Sequence, residues 1–336
     1  MSLFGGLWRS LRSGRNAASP QSGDRATEEI VSELRAVRER LEAAERRLAN
    51  LHGFAARVDL PLQCERSLRE ILGDDRYADP RRLERHGRKV YSQNDEDGIL
   101  EEIFRRIGVA SRSFVEFGVT DGRESNTLKL LLEGWHGLWI EANAAHCQSV
   151  RRNFVEQIDA GALELLESMV TAENIDALIG GAKVARAGEL DLLSIDIDGN
   201  DYYVLAAIRA VRPRVVVVEY NAKFPPPIDM VIRYDPRHAW DGTDYMGASL
   251  QALAGLGLRL GYQLVGTNIT GANAFFVRSD LAGDRFFAPA TPEALYNRPR
   301  YWLTGGFVVG HRPADRPYRY TSDAALAGGG EPRSGN

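Results

Sequence analysis

The apolar residues in the N-terminal part of the chain repeat with the spacing of a coiled coil. Between residues 25 and 52 they are separated alternately by four and three positions, and Glu and Arg fill many of the positions between them. Such a repeat places the apolar side chains along one seam of a helix. It predicts a coiled-coil helix over residues 25–55 and a homo-oligomer through residues 25–52; a surface helix packed on the main domain is the alternative. The seam consists of Ile30, Leu34, Val37, Leu41, Ala44, Leu48 and Leu51.

From Tyr91 onward the pattern changes to short apolar runs that alternate with helical segments. Strands that alternate with helices indicate a parallel sheet with crossover connections. The run at Val215–Val218 is what a strand buried on both faces should look like. Residues 268–271 predict a hairpin between the last two strands. The predicted strands are Phe114–Phe117, Gly137–Glu141, Leu163–Met169, Leu190–Ile197, Arg214–Tyr220, Tyr262–Thr267 and Ala274–Arg278.

These patterns divide the chain into five parts. A basic amphipathic arm and linker (1–24) precede the coiled-coil helix (25–55), a connector (56–90), the main domain (91–320) and a tail (321–336) whose Gly, Ala and Ser content predicts disorder. Within the arm, apolar residues at helical spacing and three arginines predict a weak contact of residues 1–15 with an anionic membrane surface. A frayed arm or an oligomer contact is the alternative.

Composition excludes several classes of protein. Lys and Arg together number 42, Asp and Glu 46, and the formal charge of −4 argues against broad binding to nucleic acid. No apolar stretch reaches the length of a membrane-spanning helix. Two cysteines are too few for a disulfide framework or a cysteine-built zinc site. We therefore expect a cytoplasmic protein, with at most a peripheral contact at the inner face of the membrane.

The first strand of the main domain runs into a glycine-containing loop followed by a helix. Strand, glycine turn and helix are the layout of a nucleotide-binding unit. The loop glycines, Gly118 and Gly122, have G-x-x-x-G spacing, so the G-x-G-x-x-G fingerprint for a pyrophosphate is absent. Glu116 would repel a phosphate, and Glu141, at the end of the second strand, is placed to bind ribose hydroxyls. A nucleoside with an amino-acid-like end, such as S-adenosylmethionine (SAM), fits these residues.

Four segments of the main domain resemble the FkbM-type SAM-dependent methyltransferases: Tyr91–Gly98, Phe114–Asn126, Gly134–Glu141 and Leu193–Gly199. The resemblance covers roughly residues 88–280. It implies an α/β fold of the Rossmann-like class I methyltransferase type, with a seven-stranded, mostly parallel sheet whose last strand is antiparallel and helices on both faces. It also implies O-methylation, often of a sugar in a polysaccharide or natural product.

The resemblance further implies which residues meet the cofactor. Contacts to SAM carry over to Glu116, Gly118 and Glu141, and Ser92, Gln93 and Asp97 correspond to a lid over its amino-acid end. To these we add Gly122 from the loop and Asp196 from the fourth strand. The sequence departs from the family at Asp198, where many members have Glu. Because Asp is shorter, a direct role there would need a metal or a water bridge.

Oxygen-bearing side chains lie at the carboxyl ends of the fourth and fifth predicted strands. Asp196 and Asp198 share one side of the chain, as do Glu219 and Asn221. If the strands are neighbours, the four residues meet and could ligate Mg²⁺ or Mn²⁺. Alternatively Asp198 is a metal-free general base, or residues 198–200 form only a tight turn.

Residues 221–246 are the predicted acceptor pocket, because aromatic and charged side chains there suit a carbohydrate or a glycosylated small molecule. Lys223 and His238 are candidate catalytic residues, His238 as a base near neutral pH, although a structural role is the usual one for a lone loop histidine. Two other functions remain open: a nicotinamide-dependent oxidoreductase, and a non-catalytic coiled-coil scaffold with a vestigial methyltransferase fold.

Overall fold

The computed structural model describes residues 20–186, 189–304, 316 and 318–321. Nearly all of the predicted tail and most of the predicted arm lie outside these residues. The chain forms two compact units, residues 1–62 and 63–336. Among the described residues, no helix is long and apolar enough to cross a membrane.

The first helix, α1 (Pro20–Leu72), is longer than the sequence predicts. Its predicted end at residue 55 is wrong, because Leu, Arg and Glu, which favour helices, continue the helix through the first part of the predicted connector. The helix stops before Gly73, whose N–H bonds to the carbonyl groups of Arg69 and Glu70. The apolar seam side chains described in residues 30–48 are exposed, and the coiled coil stays a prediction.

The main unit is built on a seven-stranded sheet in the order β3-β2-β1-β4-β5-β7-β6. Strands β1 to β5 are parallel, and β7 runs antiparallel to both of its neighbours, β5 and β6. The predicted sheet, including its antiparallel last strand and the closing hairpin, is confirmed. The strands are β1 (Ser113–Phe117), β2 (His136–Glu141), β3 (Leu163–Glu167), β4 (Leu192–Ile195), β5 (Val215–Glu219), β6 (Tyr262–Thr267) and β7 (Asn273–Arg278).

Helices cover both faces of the sheet, as predicted. Alternate residues of one strand enter different apolar clusters: Val216 and Val218 pack on one face, and Val215 and Val217 on the other. The helices after α1 are α2 (Glu96–Ile107), α3 (Leu128–Leu132), α4 (Ala144–Asn153), α5 (Val155–Asp159), α6 (Ile175–Gly181), α7 (Asp201–Ala207), α8 (Leu250–Arg259), α9 (Ser279–Ala282) and α10 (Pro292–Leu295).

The strand order reverses direction between β1 and β4. The chain adds β2 and β3 on one side of β1, and then crosses to place β4 and β5 on the other side. In open α/β sheets the crevice at such a reversal, beyond the carboxyl ends of the strands, is where ligands bind. The fold therefore places the loops after β1, β2, β4 and β5 around one crevice.

Candidate functional site

A cavity of about 660 Å³ lies at the carboxyl ends of these strands. Its size is within the range of small-molecule binding sites. Among the described residues that line it, five are acidic and none is Lys or Arg. The acidic residues are Glu124, Glu141, Asp196, Asp198 and Glu219.

Gly118 joins the first strand to the cavity. Its φ of +82° is in the left-handed region, and a Cβ atom there would lie 1.6 Å from the carbonyl oxygen of Asp196. Only glycine allows this approach of β1 to the end of β4. Gly122 does not line the cavity; a Cβ there would lie 2.6 Å from the ring of Trp139. Residue 122 must therefore be glycine for the core to pack around Trp139.

Glu116 is buried beneath the cavity and does not line it. Its carboxylate accepts hydrogen bonds from the backbone N–H groups of Asn126 and Thr127, and from the hydroxyls of Thr127 and Ser194. These two N–H groups lie just before α3, whose N-cap residue Thr127 makes no side-chain capping bond. This placement gives Glu116 a structural function in the loop after β1.

Glu141 lines the cavity at the end of β2. One carboxylate oxygen accepts from the Thr120 N–H at 2.8 Å, and the other accepts from the Asn143 N–H at 2.8 Å. Each oxygen retains a second lone pair for a ligand. The two backbone bonds hold the carboxylate between the loops after β1 and β2, which is the position predicted for ribose recognition.

The predicted lid residues divide between the cavity and its support. Gln93 lines the cavity, whereas Ser92 and Asp97 do not. One oxygen of Asp97 accepts from the N–H groups of Val90, Tyr91 and Ser92 and from the Ser92 hydroxyl, each at 2.8 Å. Asp97 therefore fixes the conformation of the loop that presents Gln93.

A second buried carboxylate ties the same loop to the hairpin between β6 and β7. One oxygen of Glu96 accepts from the side-chain amides of Asn94, Asn268 and Asn273 at 2.7–3.0 Å. Asn94 also lines the cavity, and Asn273 is the register partner of Glu219 across the β5–β7 pair. The network thus connects the lid loop with the acidic end of β5.

Asp196, Asp198 and Glu219 meet at the ends of β4 and β5. Each offers a carboxylate oxygen, and the three oxygens lie within 4.8 Å of one another. Asn221 does not join them, because its amide donates to the carbonyl groups of Asp244 and Met246 and its oxygen accepts from the Lys223 N–H. The structure therefore brings together three of the four predicted metal ligands.

The three carboxylates repel one another. Burial, followed by the charge of Asp198, raises the pKa of Asp196 well above its usual value. Burial, followed by the charges of Asp196 and Asp198, does the same to the pKa of Glu219. One oxygen of Glu219 is buried without a hydrogen-bond partner in the described structure. A cation in the cavity would relieve this repulsion.

Asp201 shapes the turn that carries the acidic cluster. Its two oxygens accept from the N–H groups of Ile197 and Gly199, and Asp198 between them has a φ of +54°. Burial raises the pKa of Asp201 to about 6. The turn exposes the Asp198 side chain toward the cavity.

The predicted acceptor loop reaches the cavity with only part of its length. His238 and Trp240 line the cavity, and Nε2 of His238 is buried without a partner among the described residues. Lys223 does not line it; its ammonium group contacts the carboxylate of Asp244. Tyr234 donates its hydroxyl to Glu173, away from the acidic cluster.

The sequence does not predict some of the residues that line the cavity. Ser168, Met169 and Val170 follow β3, and the rule that ligands bind beyond the carboxyl ends of strands could have found them. Asn200 lines the cavity from the turn after β4, with its amide oxygen unpartnered among described atoms. Tyr301 arrives from a short 3₁₀ helix far along the chain, and no local sequence signal announces it.

No protein-family model matches the chain, and no curated protein matches its sequence. The resemblance to FkbM-type methyltransferases is therefore not confirmed. Solved structures that resemble the chain are class I methyltransferases. An O-methyltransferase family protein from Burkholderia thailandensis is 11% identical over 55% of this chain, with a TM-score of 0.33; the chain spans only 57% of that protein.

Two other structures have similarly low sequence identities and TM-scores. A protein named as a caffeoyl-CoA O-methyltransferase from Staphylococcus aureus is 14% identical over 58% of this chain and 87% of that chain, with a TM-score of 0.38. The glycopeptide N-methyltransferase MtfA, complexed with (S)-adenosyl-L-homocysteine, is 13% identical over 53% of this chain and 86% of that chain, with a TM-score of 0.33. The function of this chain has to be inferred from its own residues.

Proposed function

We propose that the chain is a SAM-dependent O-methyltransferase that methylates a hydroxyl group of a sugar, in a bacterial polysaccharide or a glycosylated product. The observation that carries this proposal is the charge of the cavity. Five carboxylates and no Lys or Arg line it within the described chain. Such a site repels phosphate groups and attracts a ligand that carries positive charge. A sulfonium ion with an amino group on its amino-acid end meets this requirement, and a nicotinamide dinucleotide with its pyrophosphate does not.

The cavity residues fit the parts of SAM in order along the strand ends. The free lone pairs of Glu141 suit the ribose hydroxyls. The apolar side chains of Ile140 in β2 and of Met169 and Val170, which follow the neighbouring strand β3, suit a base. Gly118 allows the ligand to approach the backbone closely. Gln93 and Asn94, supported by the buried carboxylates of Asp97 and Glu96, suit the amino-acid end.

SAM would supply an electrophilic methyl group, so the protein has only to position the acceptor, exclude water and accept one proton. The acceptor oxygen forms its bond to the methyl carbon as the bond from that carbon to sulfur breaks. We assign the departing hydroxyl proton to Asp198, which is the exposed member of the acidic cluster. His238, whose Nε2 has no partner in the described structure, is the second group positioned to take a proton.

The acceptor would bind over the loop that carries His238 and Trp240. Trp240 is 41% exposed and lines the cavity, which suits stacking against the apolar face of a sugar ring. Its indole N–H donates to the Thr243 carbonyl, which fixes the ring orientation. A sugar presents a flat face to such a ring and hydroxyls at its edge to the acidic cluster.

A divalent cation is the second proposed ligand of the acidic cluster. Asp196, Asp198 and Glu219 provide hard oxygen donors of the kind that Mg²⁺ and Mn²⁺ prefer. Such an ion would lower the pKa of an acceptor hydroxyl. Asn221 is left out of this proposal because its amide is engaged elsewhere.

Calorimetric titration with SAM tests the proposed function. We expect Glu141→Gln to weaken binding about 10-fold or more, because it removes a charged acceptor for ribose hydroxyls. Glu156→Gln makes the same chemical change on an exposed face of α5, outside the cavity, and should bind as the wild type does. Failure of the wild-type protein to bind SAM, or equal binding by the Glu141 variant, would refute the proposal.

A further inference from the structure

The helix α1 presents a long apolar face to solvent. The exposed fractions of its side chains are 57% at Ile30, 63% at Leu34, 59% at Val37, 59% at Leu41 and 56% at Leu48. Scattered exposed apolar residues are common on protein surfaces, but here they repeat at alternating steps of four and three along one seam. A seam of this kind is stable in water when another helix covers it.

We propose that a second copy of this chain covers the seam, with the two helices parallel and in register. The steps assign Leu34, Leu41 and Leu48 to heptad position a, and Ile30 and Val37 to position d. The flanking g positions are then Glu33, Arg40 and Arg47, and the flanking e positions are Val31, Arg38 and Glu45. These flanking charges decide the orientation.

In a parallel pair of helices, each g residue faces the e residue five positions further along the partner. Glu33 would therefore face the partner's Arg38, and Arg40 would face the partner's Glu45. Both contacts join opposite charges, and symmetry repeats each of them on the other side of the seam. The parallel, in-register arrangement is thus complementary at both of the charged layers.

Antiparallel arrangements bring g residues opposite g residues instead. In the alignments that keep every a-position leucine opposite an apolar seam residue, Arg40 would then face either the partner's Arg40 or the partner's Arg47. Each alternative places two guanidinium groups side by side, which disfavours association. The first alignment also pairs Glu33 with the partner's Arg47, and the second pairs Arg38 with the partner's Glu45. The antiparallel arrangements therefore mix attraction with repulsion, whereas the parallel arrangement is attractive at both layers.

Reversal of one charge separates the two orientations, because only the parallel arrangement is weakened by it. Arg40 has Ala36, Val37, Ala43 and Ala44 as its neighbours three and four positions away, so Arg40→Glu disturbs no ion pair within the helix. In the parallel arrangement it sets two carboxylates against each other and should raise the dissociation constant about 10-fold. In the antiparallel alignment that sets Arg40 against the partner's Arg47 it should tighten association. In the alignment that sets Arg40 against the partner's Arg40 it should leave association nearly unchanged, because two carboxylates replace two guanidinium groups. Adding Glu45→Arg to Arg40→Glu should restore the parallel pairing to within about 3-fold of the wild type.

Sedimentation equilibrium of the full-length chain measures these constants. A monomeric wild-type protein, or unchanged or tighter association of Arg40→Glu, would overturn the proposal. SAM binding by each variant, measured in parallel, checks that the main unit is folded.

Disulfide trapping provides an independent test of register. Val37→Cys places the new thiols opposite each other only if the helices are parallel and in register, and mild oxidation should then give a covalent dimer. Ser32→Cys, at an outward heptad position of the same helix, is the matched control and should not cross-link. The native Cys64 and Cys147 are buried and contribute to neither result. Equal cross-linking of both variants, or of neither, contradicts the register.

Discussion

The ring of His238 lies directly against Gly199. A Cβ atom at residue 199 would be 2.2 Å from Cδ2 of His238, so the glycine is what allows the acceptor loop to approach the turn after β4. Because Gly199 does not have a positive φ in the structure, its substitution by Ala acts through this contact and not through backbone strain.

Gly199→Ala should therefore displace His238 and lower methyl transfer about 10- to 100-fold, as misplacement of a group by an ångström does. SAM binding should change little, since Glu141 and Gln93 lie on other loops. Transfer of a labelled methyl group to a sugar-containing acceptor measures the rate. Gly181→Ala, where a Cβ meets nothing within 4 Å, is the control; an equal loss of rate in both variants would show that the effect is not local.

Asp198→Asn should lower the rate of transfer by about 10²- to 10⁴-fold, the range expected for loss of a general base. The variant keeps nearly the same shape, so SAM affinity should stay within a few-fold of the wild type. A comparison of the methyl-transfer rate with the SAM affinity of this variant identifies the role of Asp198. A parallel loss of both quantities would place Asp198 in cofactor binding instead of proton transfer.

The fold and the general location of this site are predictable from the sequence because both depend on local patterns. Apolar runs give the strands, and the rule for the carboxyl ends of strands places Glu141 and Asp198 in one crevice. The direction of an individual side chain does not follow from local patterns. Glu116 lies in β1, next to the expected loop, yet its carboxylate turns inward and accepts hydrogen bonds from Thr127 and Ser194, because tertiary packing decides this orientation.

The same distinction explains Asn221. Its spacing from Glu219 suggested a shared side, but β5 ends at Glu219 and the alternation of side chains does not continue past the strand. The amide then finds the backbone of the 244–246 segment, which is distant in sequence. Local sequence patterns do not predict contacts of this kind.

Removal of divalent ions tests the role of the acidic cluster. If Asp196, Asp198 and Glu219 hold Mg²⁺ or Mn²⁺, EDTA should abolish methyl transfer, and either ion should restore it. Glu219→Gln should then require a higher metal concentration for half-maximal activity. Full activity in EDTA would instead favour the alternative in which Asp198 acts without a metal.

Glu219 should also limit the stability of the ligand-free protein. One of its oxygens is buried without a hydrogen-bond partner, and burial raises the pKa of its carboxyl group. Glu219→Gln removes this charge, so we expect the unfolding temperature to rise by a few degrees, which corresponds to about 1 kcal/mol. Calorimetric melting measures the change. A lower melting temperature would mean that other groups already stabilise the Glu219 carboxylate in the folded protein.

Asp95 should contribute to the pH dependence of the free energy of unfolding. Burial and the neighbouring Glu96 raise the pKa of Asp95 to about 8, whereas an unfolded chain has an ordinary aspartate. The folded state therefore binds the extra proton between about pH 4 and pH 8. By linkage, the free energy of unfolding must fall as pH rises through this interval, by at most about 1.4 kcal/mol per pH unit from this group.

Asp95→Asn should flatten the decline in the free energy of unfolding between pH 6 and pH 8. Urea unfolding at several pH values measures both proteins, and Asp121→Asn, on the exposed side of the loop after β1, serves as the control. Identical slopes for Asp95→Asn and the wild type would show that Asp95 does not take up a proton on folding.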